Sequence, residues 1–170
     1  MKKTAIVFLL MLLVPFTAHA LNKSQKRILS YVYETNESIT VKHDVAAIIM
    51  QESQAGKLGR KGDGGAAYGI GQMHIDTAMD VIEYYYGKKH KWTREKMKHR
   101  LMVDDRFAVR MSIRYYKMLL TQFKGNRSRA ILAYNVGPYN VLKHGLSFDP
   151  NDYLNLVLGY SNYFKKNGIV

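Results

Sequence analysis

Val41-Lys42-His43-Asp44-Val45-Ala46-Ala47-Ile48-Ile49-Met50-Gln51-Glu52-Ser53-Gln54 runs up to Gly56 and into a loop, Lys57 to Gly71, that holds six glycines. Val45, Ile48 and Ile49 recur at helical spacing, which predicts a helix from Val41 to Gln54 stopping near Gly56. Glu52 closes that helix behind Ile48, Ile49 and Met50. Glycine admits positive φ and lets backbone come close to a ligand, so a carboxylate here faces a flexible loop suited to binding.

The same periodicity continues on both sides. Ile28, Leu29, Val32 and Tyr33 predict a helix from Ser24 to Glu37. Further helices are expected at 76–86, ended by Gly87, and at 94–103, capped by Thr93. The longest spans 104–123, with Phe107, Met111, Tyr115, Met118 and Leu119 inward and Gly125 as its stop. Ser128 is expected to cap a short helix carrying Ala133-Tyr134-Asn135, which Gly137-Pro138 ends. Asp149-Pro150 marks the start of a last helix running to about Lys166. No strongly alternating strand is present, although 57–67 has room for a small hairpin. The fold class is mainly α, one compact domain.

Residues 1–20 read as a secretory signal peptide: Lys2 and Lys3, an apolar run from Ala5 to Phe16, and the small-x-small site Ala18-His19-Ala20. A domain over 21–170 is expected, periplasmic or secreted, with no stable membrane span once the leader is cleaved; an uncleaved anchor is the alternative. The chain has no cysteine, which excludes thiol catalysis and Cys-ligated zinc. Its net charge is +13, and the leader takes away two lysines and no acid, leaving +11. Such a charge attracts polyanions. For an exported chain, anionic wall polymers are the expected partner and nucleic acid is not. The six histidines show no metal-ligand spacing, so no metal or cofactor is expected.

Glycosidic cleavage needs a general acid, and burial against apolar side chains raises a carboxyl pKa toward neutrality. Glu52 fits that role; the plain alternative is a surface Glu at a helix end. Most glycosidases add a second carboxylate. Asp63, a loop residue, and Asp76, a helix start, are the nearest in sequence, and neither stands out. Gln72 after Gly71 has an amide suited to a sugar N-acetyl or hydroxyl group, or simply to the turn backbone. His43 and Asp44 are expected at a helix start. In Tyr84-Tyr85-Tyr86 and Lys88-Lys89-His90-Lys91-Trp92, a core tyrosine or two beside a solvated basic connection is preferred over a sugar-stacking surface.

Glu52-Ser53, Tyr68-Gly69-Ile70-Gly71-Gln72 and Ala133-Tyr134-Asn135-Val136-Gly137-Pro138, in this order and spacing, resemble the three motifs of the soluble lytic transglycosylase family. The resemblance covers about 41–163 and implies a lysozyme-like helical (α+β) fold. It implies that Glu52 acts first as acid and then as base on the bond between N-acetylmuramic acid and N-acetylglucosamine. The N-acetyl group would assist, and the sugar's own C6 hydroxyl would close a 1,6-anhydro ring. Ser53, Gln72, Tyr134 and Asn135 would form or support the sugar site, and Asp149, four before Tyr153, matches an acid at the start of the family's final helix. Gly71 and Ile70 depart from the usual Met and Leu. Peptidoglycan is the implied substrate, and a secretion or conjugation apparatus or a bacteriophage system the implied setting. Goose-type lysozymes, which hydrolyse the same bond with water, are the nearest alternative. A non-catalytic wall-binding protein and a cationic membrane-active protein are alternatives from other classes.

Overall fold

The computed structural model describes residues 21–149 and 152–168; the expected leader, 1–20, and Pro150 lie outside the described residues. Ile28, Leu29 and Val32 drive the first helix, α1 (Lys23–Tyr33), onto the core, and Asn22 and Gln25 close a reciprocal capping box at its start. It ends earlier than the periodicity suggests, because Thr35 Oγ1 bonds back to the Val32 carbonyl at 2.6 Å and Ser38 caps a new helix. That new helix, α2 (Ile39–Ser53), is the centre of the molecule. Val45, Ala46, Ala47, Ile48 and Ile49 are all fully buried, so it is enclosed on every side and not on one face only.

Next come three two-residue strands, β1 (Lys61–Gly62), β2 (Ala67–Tyr68) and β3 (Met73–His74). They form an antiparallel sheet in that order, with Lys61 opposite Tyr68 and Ala67 opposite His74. The hairpin expected within the glycine loop therefore exists and gains a third strand. The rest is helical: α3 (Ile75–Tyr86), α4 (Arg94–Val103), α5 (Asp105–Gln122), α6 (Arg127–Val136), α7 (Pro138–His144) and α8 (Tyr153–Asn167). Thr93 caps α4 as expected. α2 packs most extensively against α8, while α1, α3, α4 and α6 all meet α5. No helix among the described residues is long and apolar enough to cross a membrane.

Further expectations need correction. Asn126, not Ser128, caps α6, its side chain accepting the Arg129 N–H at 3.0 Å. The chain does not merely turn at Gly137-Pro138: Pro138 opens α7, where its fixed φ and missing N–H cost nothing. α8 begins at Tyr153, later than Asp149-Pro150 suggested. Tyr84, Tyr85 and Tyr86 contribute nothing to the core, being 54%, 39% and 54% exposed.

Asp44 is also no helix-start residue. It is buried within α2, and its carboxylate accepts from Arg127 Nε at 2.8 Å, the Tyr116 hydroxyl at 2.7 Å and the Ser161 hydroxyl at 2.8 Å. One carboxylate thereby ties α2 to α5, α6 and α8. Removing one partner of a buried ion pair leaves the other uncompensated. Asp44→Ala is expected to destabilise the fold by roughly 3 kcal/mol, read as a lower denaturant midpoint at unchanged slope.

Candidate active site

Glu52 lies in the last turn of α2, half-buried, with its carboxyl group ringed by protein. The Tyr153 hydroxyl, from the first turn of α8, donates to Glu52 Oε1 at 2.6 Å. Burial raises the Glu52 pKa to about 7, and the tyrosine bond offsets part of that rise by stabilising the carboxylate. Tyr134 on α6 and Tyr115 on α5 pack ring to ring, centroids 4.9 Å apart. Burial and the Glu52 charge raise the pKa of Tyr153, Tyr134 and Tyr115 alike. The result is one carboxyl among neutral phenols, able to hold or release a proton near pH 7.

The backbone behind Glu52 is fastened to the glycine loop. Gln54 and Ala55 both take left-handed φ, which breaks α2 immediately after Ser53. Ser53 is fully buried; its hydroxyl donates to the Ile70 carbonyl at 2.6 Å and accepts the Gly56 N–H at 2.9 Å. Tyr134, 8% exposed, donates to the Gly71 carbonyl at 3.1 Å and meets Ser112 Oγ at 3.0 Å. Gln72, half-buried at φ 45°, donates its amide to the Gly69 carbonyl at 2.8 Å. Its Oε1 occupies the space beside Gly62, where a Cβ would stand 1.9 Å away.

Among the residues singled out from sequence, the structure thus joins Glu52, Ser53, Gln72 and Tyr134 through α2 and the loop. Asn135 is exposed near the C-terminal end of α6. Asp149 accepts the Leu154 N–H at 3.0 Å, holding the start of the helix that presents Tyr153. Tyr153 reads from sequence as the partner in spacing of Asp149 and Tyr115 as an inward helix residue, and their place beside the carboxyl comes from tertiary packing. The spacing of Asp149 and Tyr153 is the signal that pointed to the first of them. Ser112 gave no signal.

The two carboxylates nearest in sequence are used elsewhere. Asp63 pairs with His74 at 3.1 Å, and exposed Asp76 pairs with Arg94, which holds its pKa below the usual range. Asp80 on α3, overlooked in the sequence, is the carboxylate whose charge acts on Tyr115 together with that of Glu52. Its own pKa is raised by partial burial and by Asp76 and Glu83.

A family model described as a transglycosylase SLT domain matches residues 34–155. Lysozyme g of Struthio camelus is 30% identical over 129 residues, which cover 73% of this chain and 58% of that protein. The match therefore takes in less than two thirds of that relative's length.

Two predictions come from this geometry. A Cβ on Gly71 would stand 2.1 Å from Ser112 Oγ and 2.8 Å from the Tyr134 hydroxyl. Gly71→Ala is expected to cost roughly 1–3 kcal/mol by overpacking. Adding Ser112→Ala should return part of that loss, giving a coupling of about 1 kcal/mol in a double-mutant denaturation cycle. The second concerns pH. The folded state raises the Glu52 pKa from 4.5 to about 7, so it binds a proton that the unfolded chain has released between those values. Stability is therefore lost as pH rises through that window. Glu52→Gln, which keeps an acceptor for Tyr153, should stabilise the protein by roughly 1–3 kcal/mol at pH 8. Paired melts at pH 8 and pH 4.5 should show the gain at the first and its disappearance at the second.

Proposed function

The chain belongs to the transglycosylase SLT domain family, and from that premise we propose that it is an exported lytic transglycosylase that cleaves peptidoglycan strands with Glu52 as the single acid-base group. The observation that carries this reading is the environment of Glu52: an enclosed carboxyl with pKa about 7 and a neutral tyrosine as its hydrogen-bond partner. A group so poised is substantially protonated at neutral pH and regains a proton readily after giving one away.

In this reading, protonated Glu52 gives its proton to the oxygen between N-acetylmuramic acid and N-acetylglucosamine as that bond breaks. The neighbouring N-acetyl group supports the electron-poor anomeric carbon. Glu52, now a carboxylate, takes the proton from the sugar's C6 hydroxyl as that oxygen attacks the anomeric carbon. The product carries a 1,6-anhydro ring, no water is consumed, and the enzyme ends with its proton restored. Tyr153 steadies the carboxylate half of the cycle. Ser53, Tyr134 and Asp149 hold the backbone segments that shape the site, Gln72 braces the loop through the Gly69 carbonyl, and exposed Asn135 at the end of α6 is the amide free to meet a sugar. Export places the enzyme at the wall, where a secretion or conjugation apparatus or a bacteriophage system would use local opening.

Hydrolysis by water is the second reading, and the likeness to Lysozyme g favours it. It would need a base to activate water, and Asp80 is the acid to examine first. A digest of purified sacculi, read by mass spectrometry beside Glu52→Gln, separates the two. Muropeptides lighter by one water are expected from the native protein, with a rate loss of at least a hundredfold in the variant, consistent with removing a general acid. Reducing ends would establish hydrolysis, and undiminished cleavage by folded Glu52→Gln would remove Glu52 from the mechanism.

A further inference from the structure

The most basic stretch of the chain leads into α4 and forms a hollow there. Lys91 and Trp92 from the connection, with Lys96, His99 and Arg100 from α4, line a space of about 410 Å³. Pockets for small ligands run from about 300 to 1,000 Å³. Glu52 and the tyrosines around it take no part in it, and no carboxylate is among its lining residues.

Two of its walls are built in advance. Trp92 stacks on Phe107, ring centroids 5.1 Å apart and planes 25° apart. The Arg100 guanidinium lies 4.8 Å from the same ring and also donates to Asp104 at 2.6 Å. Phe107 is itself buried, 5% exposed. A tryptophan and a guanidinium fixed against one buried ring lose little freedom when a ligand arrives. Lys91, Lys96 and His99 are exposed and turn the rest of the rim basic.

The chemistry of the lining selects among anions. A carboxylate offers two oxygens, which one guanidinium satisfies. Arg100 is already paired with Asp104, but Lys91 and Lys96 bring two further ammonium groups to the same space, and together they suit the larger charge and oxygen count of a phosphate. The volume exceeds what a bare phosphate fills, and Trp92 supplies an apolar wall of the kind that packs against the C–H face of a pyranose. A net charge of +11 over residues 21–170 adds long-range attraction to a polymer carrying many such groups. We propose that this hollow binds the phosphorylated sugar unit of an anionic polysaccharide, as a site separate from the one at Glu52.

Its position gives the binding a use. α4 packs directly on the loop that carries Gln72: the Lys98 ammonium lies 5.0 Å from the Tyr68 ring centre, and a Cβ on Gly69 would stand 2.5 Å from the Leu101 carbonyl oxygen. A polymer held at the hollow keeps the protein on the surface that displays that polymer. The inference does not depend on what Glu52 does.

Trp92 is the single tryptophan of the chain, so its fluorescence reports on the hollow alone. The purified protein and a Lys91→Ala/Lys96→Glu variant would be titrated with glucose 6-phosphate, glucose, inorganic phosphate and a short single-stranded oligonucleotide. Both substituted positions are exposed, and circular dichroism checks that the variant keeps its fold. The expected result is a saturable change with the sugar phosphate, at least tenfold weaker binding in the variant, and no saturation with glucose. Failure of the sugar phosphate to saturate, or equal affinity in the variant, overturns the site. Inorganic phosphate binding as tightly as the sugar phosphate overturns the sugar part. An oligonucleotide binding as tightly, with the same dependence on the two lysines, would make the hollow a general polyanion surface and overturn the assignment.

Discussion

α2 carries two acids on one buried helix, eight residues apart, and gives them opposite surroundings. Asp44 meets a guanidinium and two hydroxyls, so every lone pair aimed into the protein finds a donor. Glu52 meets one neutral phenol and, among the described residues, no cation. The first arrangement allows a charged group to sit in the core and uses it to lock four helices together. The second withholds compensation, so the carboxyl favours its neutral form. The helix that carries Glu52, the acid proposed to react, is held by the paired acid, Asp44. The position of Glu52 relative to Tyr153 on α8 inherits the rigidity of the Asp44 network, because Ser161 of that network sits two turns further along the same helix.

The glycine loop is shaped by exclusion as much as by flexibility. Gly62 is small because Gln72 Oε1 fills the place of a side chain, and Gly71 is small because two hydroxyls do. Gly69 combines φ 76° with a carbonyl of α4 where its Cβ would be. These close approaches bring backbone carbonyls of the loop within reach of Ser53 and Tyr134, and the loop is thereby tied to both helices around Glu52. The departure at Gly71 from the resembling motif has a local cause in Ser112, which occupies the volume a larger residue would claim.

Legibility in the sequence followed the range of the forces involved. Thr93 bonds three residues ahead, so the start of α4 could be read from its neighbours. The apolar repeat of α5 likewise exposed its inward face. Asp44 could not be read, because its guanidinium partner is 83 residues away and nothing nearby marks the pair. α7, at seven residues, is too short to display a period. Tyr84, Tyr85 and Tyr86 are consecutive, so a helix spreads them around its axis; the last buried positions of α3 are Val81 and Ile82, and the helix projects beyond the core from there. At the site, Glu52, Ser53, Gln72 and Tyr134 were legible through motif order. Ser112, Tyr115 and Asp80 were not, since each acts only through tertiary packing.

In the cycle proposed for Glu52, a single group first gives a proton and then takes one, and it is best served by a pKa near the working pH. Burial alone would carry Glu52 higher and make it a poor base. A cation beside it would carry it lower and make it a poor acid. A tyrosine donor is an intermediate solution, because a phenol whose own pKa is raised remains neutral and donates one bond without adding charge. That bond strengthens when Glu52 becomes a carboxylate, so it opposes burial only in the state that needs it. Asp149 then gains a reason to stand four residues before Tyr153: by accepting the Leu154 N–H it fixes the first turn of α8 and with it the direction of the phenol. The balance at Glu52 thus rests also on Asp149, which acts through the start of α8 and not by touching the carboxyl.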